Sequence, residues 1–174
     1  MTSPQPSRFL VHPSPVGDVL IVTTDAGIVT LHPVDGPLGA ELERVGLALR
    51  AMPVPAESDA SADAAATQLD EYFEGDRRAF DLPLDWRLVR GFTRAALEAV
   101  CEIPYGETAG YGEVAIAAGS PRAARAVGTA CANTPFSIVV PVHRVVRADG
   151  SLGEYGGRPE VKRWLVDHER AAGE

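Results

Sequence analysis

The 174-residue sequence predicts an α/β unit, with a small antiparallel sheet plus helices, followed by a mainly α unit containing a helix-turn-helix. Three observations carry that prediction. The first half holds two β-branched runs in "DVLIVTTDAGIVTLHP", separated by Asp25-Ala26-Gly27, a hairpin signal. The second half spaces its apolar residues at helical intervals. Between the halves the charge changes: residues 1–89 carry 6 basic and 14 acidic side chains, whereas residues 90–174 carry 10 of each. The boundary is placed between a unit at 1–88 and a unit at 89–174.

In chain order, "GAELERVGLALRAM" sets Leu42, Val45, Leu49 and Met52 near helical spacing. "PVPAESDASADAAA" is poor in large apolar residues and reads as a loop, before a helix that carries Leu69, Tyr72 and Phe73 and stops at Gly75. "AFDLPLDW" fits an edge strand or connector, because Pro83 cannot donate to a central ladder. Thr93 stands where it would cap a helix bearing Ala96, Leu97, Val100 and Cys101, which must end before Pro104. "YGEVAIAAG" and "PRAARAVGTACANTP" read as two short helices joined through Gly119-Ser120-Pro121, a helix-turn-helix arrangement. "FSIVVPVHRVV" is expected to be extended and buried. After a Gly-punctuated loop, "PEVKRWLVDHE" forms a terminal helix with Val161, Trp164 and Leu165 on one face.

Composition narrows the function. With 45% hydrophobic residues the chain can bury a core. Two cysteines make no framework of disulfides, and no charged start followed by an apolar segment opens the chain, so a reducing, cytoplasmic setting is expected, at the nucleoid if the source is bacterial. Apolar runs are far shorter than the roughly 20 residues a spanning helix needs. The net charge of −8 argues against polyanionic partners in general. Residues 122–163, however, hold seven basic side chains (Arg122, Arg125, Arg144, Arg147, Arg158, Lys162, Arg163) against three acidic ones, a local excess that could face phosphates.

Four separated motifs, "IPYGETAGYGEVA", "GSPRAARAVGTACANTP", "IVVPVHRVVRADGSLGEYGG" and "VKRWLVDHE", resemble in order and spacing the DNA-binding domain of O6-alkylguanine-DNA alkyltransferases, over about Phe92 to Glu169. "LDEYFEGDRRAFDLPLD" resembles the end of that family's N-terminal α/β domain. The family's defining motif is Pro-Cys-His-Arg, and here Val142 occupies the cysteine position. The resemblance implies that His143 and Glu169 correspond to the histidine that activates the acceptor thiol through a water and the glutamate that orients it. A thiolate is the soft nucleophile that takes an alkyl carbon, and valine has neither lone pair nor proton to lose.

The resemblance further assigns a DNA-binding face to Thr93, Tyr111, Ala123, Ala124, Arg125, Ala126 and Gly128. The small residues would let the backbone approach the minor groove. Arg125 would fill the stack vacated by a rotated nucleotide, Tyr111 would help rotate the phosphate, and Thr93 would donate to a phosphate. Taken alone, the small-residue stripe reads as close helix packing, Arg125 as a surface arginine, Tyr111 as a core tyrosine and Thr93 as a helix cap.

A base pocket is implied at Ser137, Val142, Val145, Tyr155 and Gly156. The carbonyls of Val142 and Val145 would read the guanine amino group, Tyr155 would wall the base, and the Gly156 N–H would face O6. Asn133 and Thr134 fall in the implied hinge, where the family typically has asparagine before the proline, and Ser137 sits where proline or alanine is common. No metal is expected, because His12 and His32 have no cysteine partners in the first half, and no cofactor.

The expected partner is double-stranded DNA containing O6-alkylguanine, bound by a monomer away from any membrane, with nucleotide excision repair proteins as downstream partners. Three readings of Val142 remain open. In the first the chain binds and flips the lesion without transferring its alkyl group, as alkyltransferase-like proteins do, although these usually carry tryptophan at that position. It is otherwise a methylated-DNA–protein-cysteine S-methyltransferase whose acceptor was changed to valine, or a degenerate paralogue kept for protein contacts.

Overall fold

Strand β1 (Arg8–His12) runs antiparallel to β2 (Val19–Thr24), which runs antiparallel to β3 (Gly27–Pro33) through a turn at Asp25-Ala26. The computed structural model describes residues 5–153, 155 and 157–173, in two compact units, Met1–Leu88 and Val89–Glu174. In the first unit the order is β3-β2-β1-β4, and β4 (Val54–Pro55) joins β1 in parallel. The sheet is therefore mixed, where the sequence suggests an antiparallel one. A stretch that reads as loop supplies the extra edge, and Pro55 is tolerated there because an edge strand can spare a donor.

β2 is buried along nearly its whole length because helices cover both faces of the sheet. Leu20, Val22 and Val29 pack with Val45 of α1 (Leu38–Leu49), joined by Leu38, Leu42 and Leu49. Met52 lies beyond this helix and is 53% exposed, so it does not continue the apolar face. On the other face α2 (Ala60–Glu74) buries Ala62, Ala65, Leu69 and Tyr72. Its cap, Asp59, accepts from the Ala62 N–H at 2.9 Å and from the Thr23 hydroxyl at 2.8 Å, which ties the helix start to the sheet. A Cβ at Gly27 would collide with the Pro83 carbonyl, which accepts from the Ile28 N–H at 2.8 Å, so "DLPLD" docks as a connector making one bridge, Leu84 to Ile28.

The second unit contains α3 (Gly91–Val100), β5 (Ala109–Gly110), α4 (Tyr111–Ala117), α5 (Ala124–Ala132), a 3-10 turn at Val142–Arg144, β6 (Val145–Val146) and α6 (Pro159–Ala172). α3, α4 and α5 pack on one another, and β5 pairs in parallel with β6. α3 starts at Gly91 with Arg90 as its cap, so Thr93 is an exposed residue inside the first turn and not the cap. The segment from Phe136 to Pro141 is buried as expected but not extended. Two tight turns, Val139 N–H to Ser137 O at 2.7 Å and Val142 N–H to Val140 O at 2.8 Å, fold it back on itself. Pro135 and Pro141 lack donors and Ile138 adopts φ 68°, so no ladder can run through it.

Candidate functional site

Glu169 reaches the centre of the second unit because α6 presents Lys162, Leu165, Val166 and Glu169, spaced i, i+3, i+4, i+7, to the interior. Both charged members of that stripe are 1% exposed. The Glu169 carboxylate accepts from Arg144 Nε at 2.8 Å (Oε1) and Nη2 at 3.0 Å (Oε2), from the Gly106 N–H at 3.1 Å, and from His143 Nε2 at 2.6 Å. Arg144 Nη1 donates to the Ile103 carbonyl at 2.7 Å, and its guanidinium lies 5.6 Å from the centre of the Tyr105 ring. Every oxygen of the buried carboxylate is thus charge-compensated.

This network settles the histidine. A carboxylate so well satisfied only accepts, so His143 Nε2 carries the proton and Nδ1 keeps a lone pair. Nδ1 is buried and has no partner among the described residues. Burial holds the imidazole below its ordinary pKa, Glu169 pulling it up and the Arg144 and Lys162 cations pushing it down. The result is a neutral base in a fixed orientation, adjoining Val142, which is 2% exposed. The two cysteines do not replace the absent thiol. Cys131 is half-buried on α5, and burial pushes its thiol up to about 11. Cys101, read from the sequence as a core residue, is exposed as a whole. Its sulfur is nevertheless crowded, and that desolvation, with the Glu102 and Glu98 carboxylates, pushes it up to about 11.

Val145 follows the turn directly, and its carbonyl accepts from Lys162 Nζ at 2.6 Å. The same ammonium lies 5.9 Å from the centre of the Tyr111 ring. Burial pushes it down to about 8, Arg147 adding to the shift and Cys131 opposing it. Tyr111, at the first position of α4, covers Gly128 on α5 and Gly153 of the loop: a Cβ on Gly128 would lie 3.8 Å from the ring, and one on Gly153 would lie 3.1 Å from the hydroxyl. Ser137 is buried, and burial of the Tyr155 phenol pushes it up to about 12 against a weaker pull from the Ser137 hydroxyl. Gly156 lies outside the described residues.

Arg125 and Ala126 are exposed on α5, with Ala123 as its cap and Ala124 half-buried. Asn133 Nδ2 donates to the Thr129 carbonyl at 3.1 Å, and Thr134 Oγ1 lies 2.7 Å from the Phe136 carbonyl and 3.0 Å from the Phe136 N–H. The stretch between α5 and the turn is fixed by its own side chains. An open cavity of about 600 Å³ elsewhere in this unit is lined by Glu102, Glu107 and Glu113, among others, and includes none of these pocket residues.

Two of the seven basic side chains counted towards a phosphate-facing surface are interior. Arg144 is 7% exposed and Lys162 1%, so the surface excess of positive charge is smaller than the sequence suggests. Neither residue was read as part of the site. The available signal was a lysine seven residues before a glutamate inside a buried helical stripe, together with an arginine adjoining the histidine.

Residues 91–171 match the model of the 6-O-methylguanine DNA methyltransferase DNA-binding domain, and residues 9–86 match that family's ribonuclease-like domain. A methylated-DNA–protein-cysteine methyltransferase of Methanosarcina barkeri is 35% identical over 153 residues, 88% of this chain and 90% of the relative. The crystal structure of Mycobacterium tuberculosis O6-methylguanine methyltransferase superposes with a TM-score of 0.80 at 33% identity, covering 95% of this chain and 94% of that one. The structure of the Mycobacterium tuberculosis protein OGT in complex with DNA gives 0.78 at 34% identity, covering 97% and 94%. The α/β unit and the helical unit thus have their counterparts in one group of proteins, and the chain belongs to the 6-O-methylguanine DNA methyltransferase family.

Proposed function

We propose that this protein binds duplex DNA through the minor groove, rotates an O6-alkylated guanine into a pocket beside Val142, and holds it there without accepting the alkyl group. The observation that carries this reading is the neighbourhood of Val142. A neutral, buried His143 with a lone pair on Nδ1, oriented by Glu169, adjoins a side chain that has no atom to activate. The base and its orienting carboxylate support descent from a transfer site, and the aliphatic side chain supports loss of transfer.

In this reading α5 enters the groove as the second helix of a helix-turn-helix, with the small residues Ala123, Ala124, Ala126 and Gly128 allowing close approach. Exposed Arg125 occupies the gap in the stack. Thr93, exposed in the first turn of α3, donates to a phosphate, and Tyr111 guides the rotating nucleotide. Ser137 and Tyr155 surround the base, whose amino group donates to the Val142 and Val145 carbonyls, while Asn133 and Thr134 set the segment that carries them. The protein works as a monomer, and its stable complex marks the lesion for excision repair proteins.

Incubation with a duplex carrying O6-methylguanine, followed by intact-protein mass measurement and a binding titration, tests the reading. Unchanged mass with salt-sensitive selectivity over undamaged duplex is the expected result. A gain of one methyl group on the protein would overturn it.

A further inference from the structure

Lys162 is a buried cation that the proposed function does not use. Its ammonium donates to the Val145 carbonyl at 2.6 Å, faces the Tyr111 ring, and is 1% exposed. A buried lysine is costly unless something holds it there. What it holds is a backbone acceptor immediately after the Val142–Arg144 turn. A carbonyl has two lone pairs, and Lys162 occupies one of them whether the pocket is empty or filled.

We propose that Lys162 sets the base specificity of the pocket by keeping the Val145 carbonyl hydrogen-bonded when no base amino group reaches it. This inference rests on the proposed function, in which that carbonyl faces the base. A dry site that depends on a ligand donor rejects analogues lacking it, because its own acceptor is left unpaired. Here the acceptor is already paired, so a purine without the 2-amino group is tolerated. Lys162 is a positioning residue and takes no part in bond making. The groups facing it are the Tyr111 ring from α4, Cys131 from α5 and Arg147 after β6.

The test compares duplexes identical except for O6-methylguanine or O6-methylhypoxanthine, which lacks the 2-amino group, with an undamaged duplex as reference. The Kd ratio of the two lesions is measured for the wild-type protein and for Lys162→Met, so that duplex energetics cancel between proteins. The ratio should favour guanine at least about fivefold more strongly in Lys162→Met than in the wild type. Lys162→Arg, which keeps a donor on a side chain of similar length, should hold the ratio near the wild-type value. If Lys162→Met does not fold, Lys162→Leu, which also removes the donor, takes its place in the comparison.

A purely structural lysine would weaken both complexes alike, and an unchanged ratio with lesion-selective binding intact overturns this proposal while sparing the proposed function. Absence of lesion-selective binding by the wild-type protein overturns both.

Discussion

The 2.6 Å contact between His143 Nε2 and Glu169 joins two groups with almost no access to water, and Arg144 completes the charge balance. Removing one member leaves another uncompensated. Glu169→Gln should destabilise the protein by about 3–5 kcal/mol, because the Arg144 guanidinium is left buried without its counter-ion; chemical denaturation reads this directly. The histidine also makes a pH prediction. The folded chain holds it neutral below its ordinary pKa, so on acidification through about 6.5 the unfolded chain takes up a proton that the folded chain refuses. Its contribution is fully present above that pH and is lost below it, and His143→Gln should flatten the acid limb of a stability–pH profile. At the adjoining position, Val142→Cys is nearly isosteric and should cost less than about 1.5 kcal/mol. It places a thiol beside an oriented base, so the variant should gain a single methyl from O6-methylguanine DNA, seen as a mass increase without turnover. Adding His143→Ala should slow that transfer sharply.

Helix ends and helix faces carry predictions of their own. α1 ends on Arg50 at φ 60°, a left-handed residue with a Cβ, capping through its N–H to the Gly46 and Leu47 carbonyls. Arg50→Gly keeps that backbone bonding and removes a steric cost of about 1–2 kcal/mol, so thermal denaturation should show a gain. Gly128 lies inside α5, where alanine is favoured over glycine by about 0.5–1 kcal/mol, and the added methyl would meet Tyr111 at ordinary contact distance. Gly128→Ala should therefore stabilise the protein slightly. If α5 approaches DNA on that side, the same change should weaken duplex binding, a divergence that close helix packing alone would not produce. The strands β2 and β3 and the apolar faces of α3, α6 and the second half of α2 were legible because their periodicity survives in the fold, whereas β1 was not read and the start of α2 at Ala60 lies in a stretch that reads as loop. The stretch before Val142 was misread because a β-branched run signals a strand, while its tight turns depend on what surrounds it.

Across the molecule, the net charge of −8 coexists with exposed Arg122, Arg125, Arg147 and Arg163 in the second unit. With Arg125 in the stack, phosphate contacts by the other three would release about three counterions, giving a salt slope near −2.7 and roughly a fortyfold loss of affinity between 50 and 200 mM salt. A titration series in salt measures that slope; Arg147→Ala should reduce it by about one, whereas Arg125→Ala should selectively weaken the lesion complex.

The sequence by itself determined the β2–β3 hairpin, the apolar faces of the main helices and the division of charge between the two halves, which follow from periodicity and counts, while the pairing of His143 with Glu169 was implied by the family resemblance. Only the tertiary structure decided which charges face water. Arg144 and Lys162 read as surface cations until the packing of α6 against the Val142 turn carried one to Glu169 and the other to the Val145 carbonyl. A buried charge is stable only beside its partner, and the partner is fixed by contacts between residues far apart in the chain.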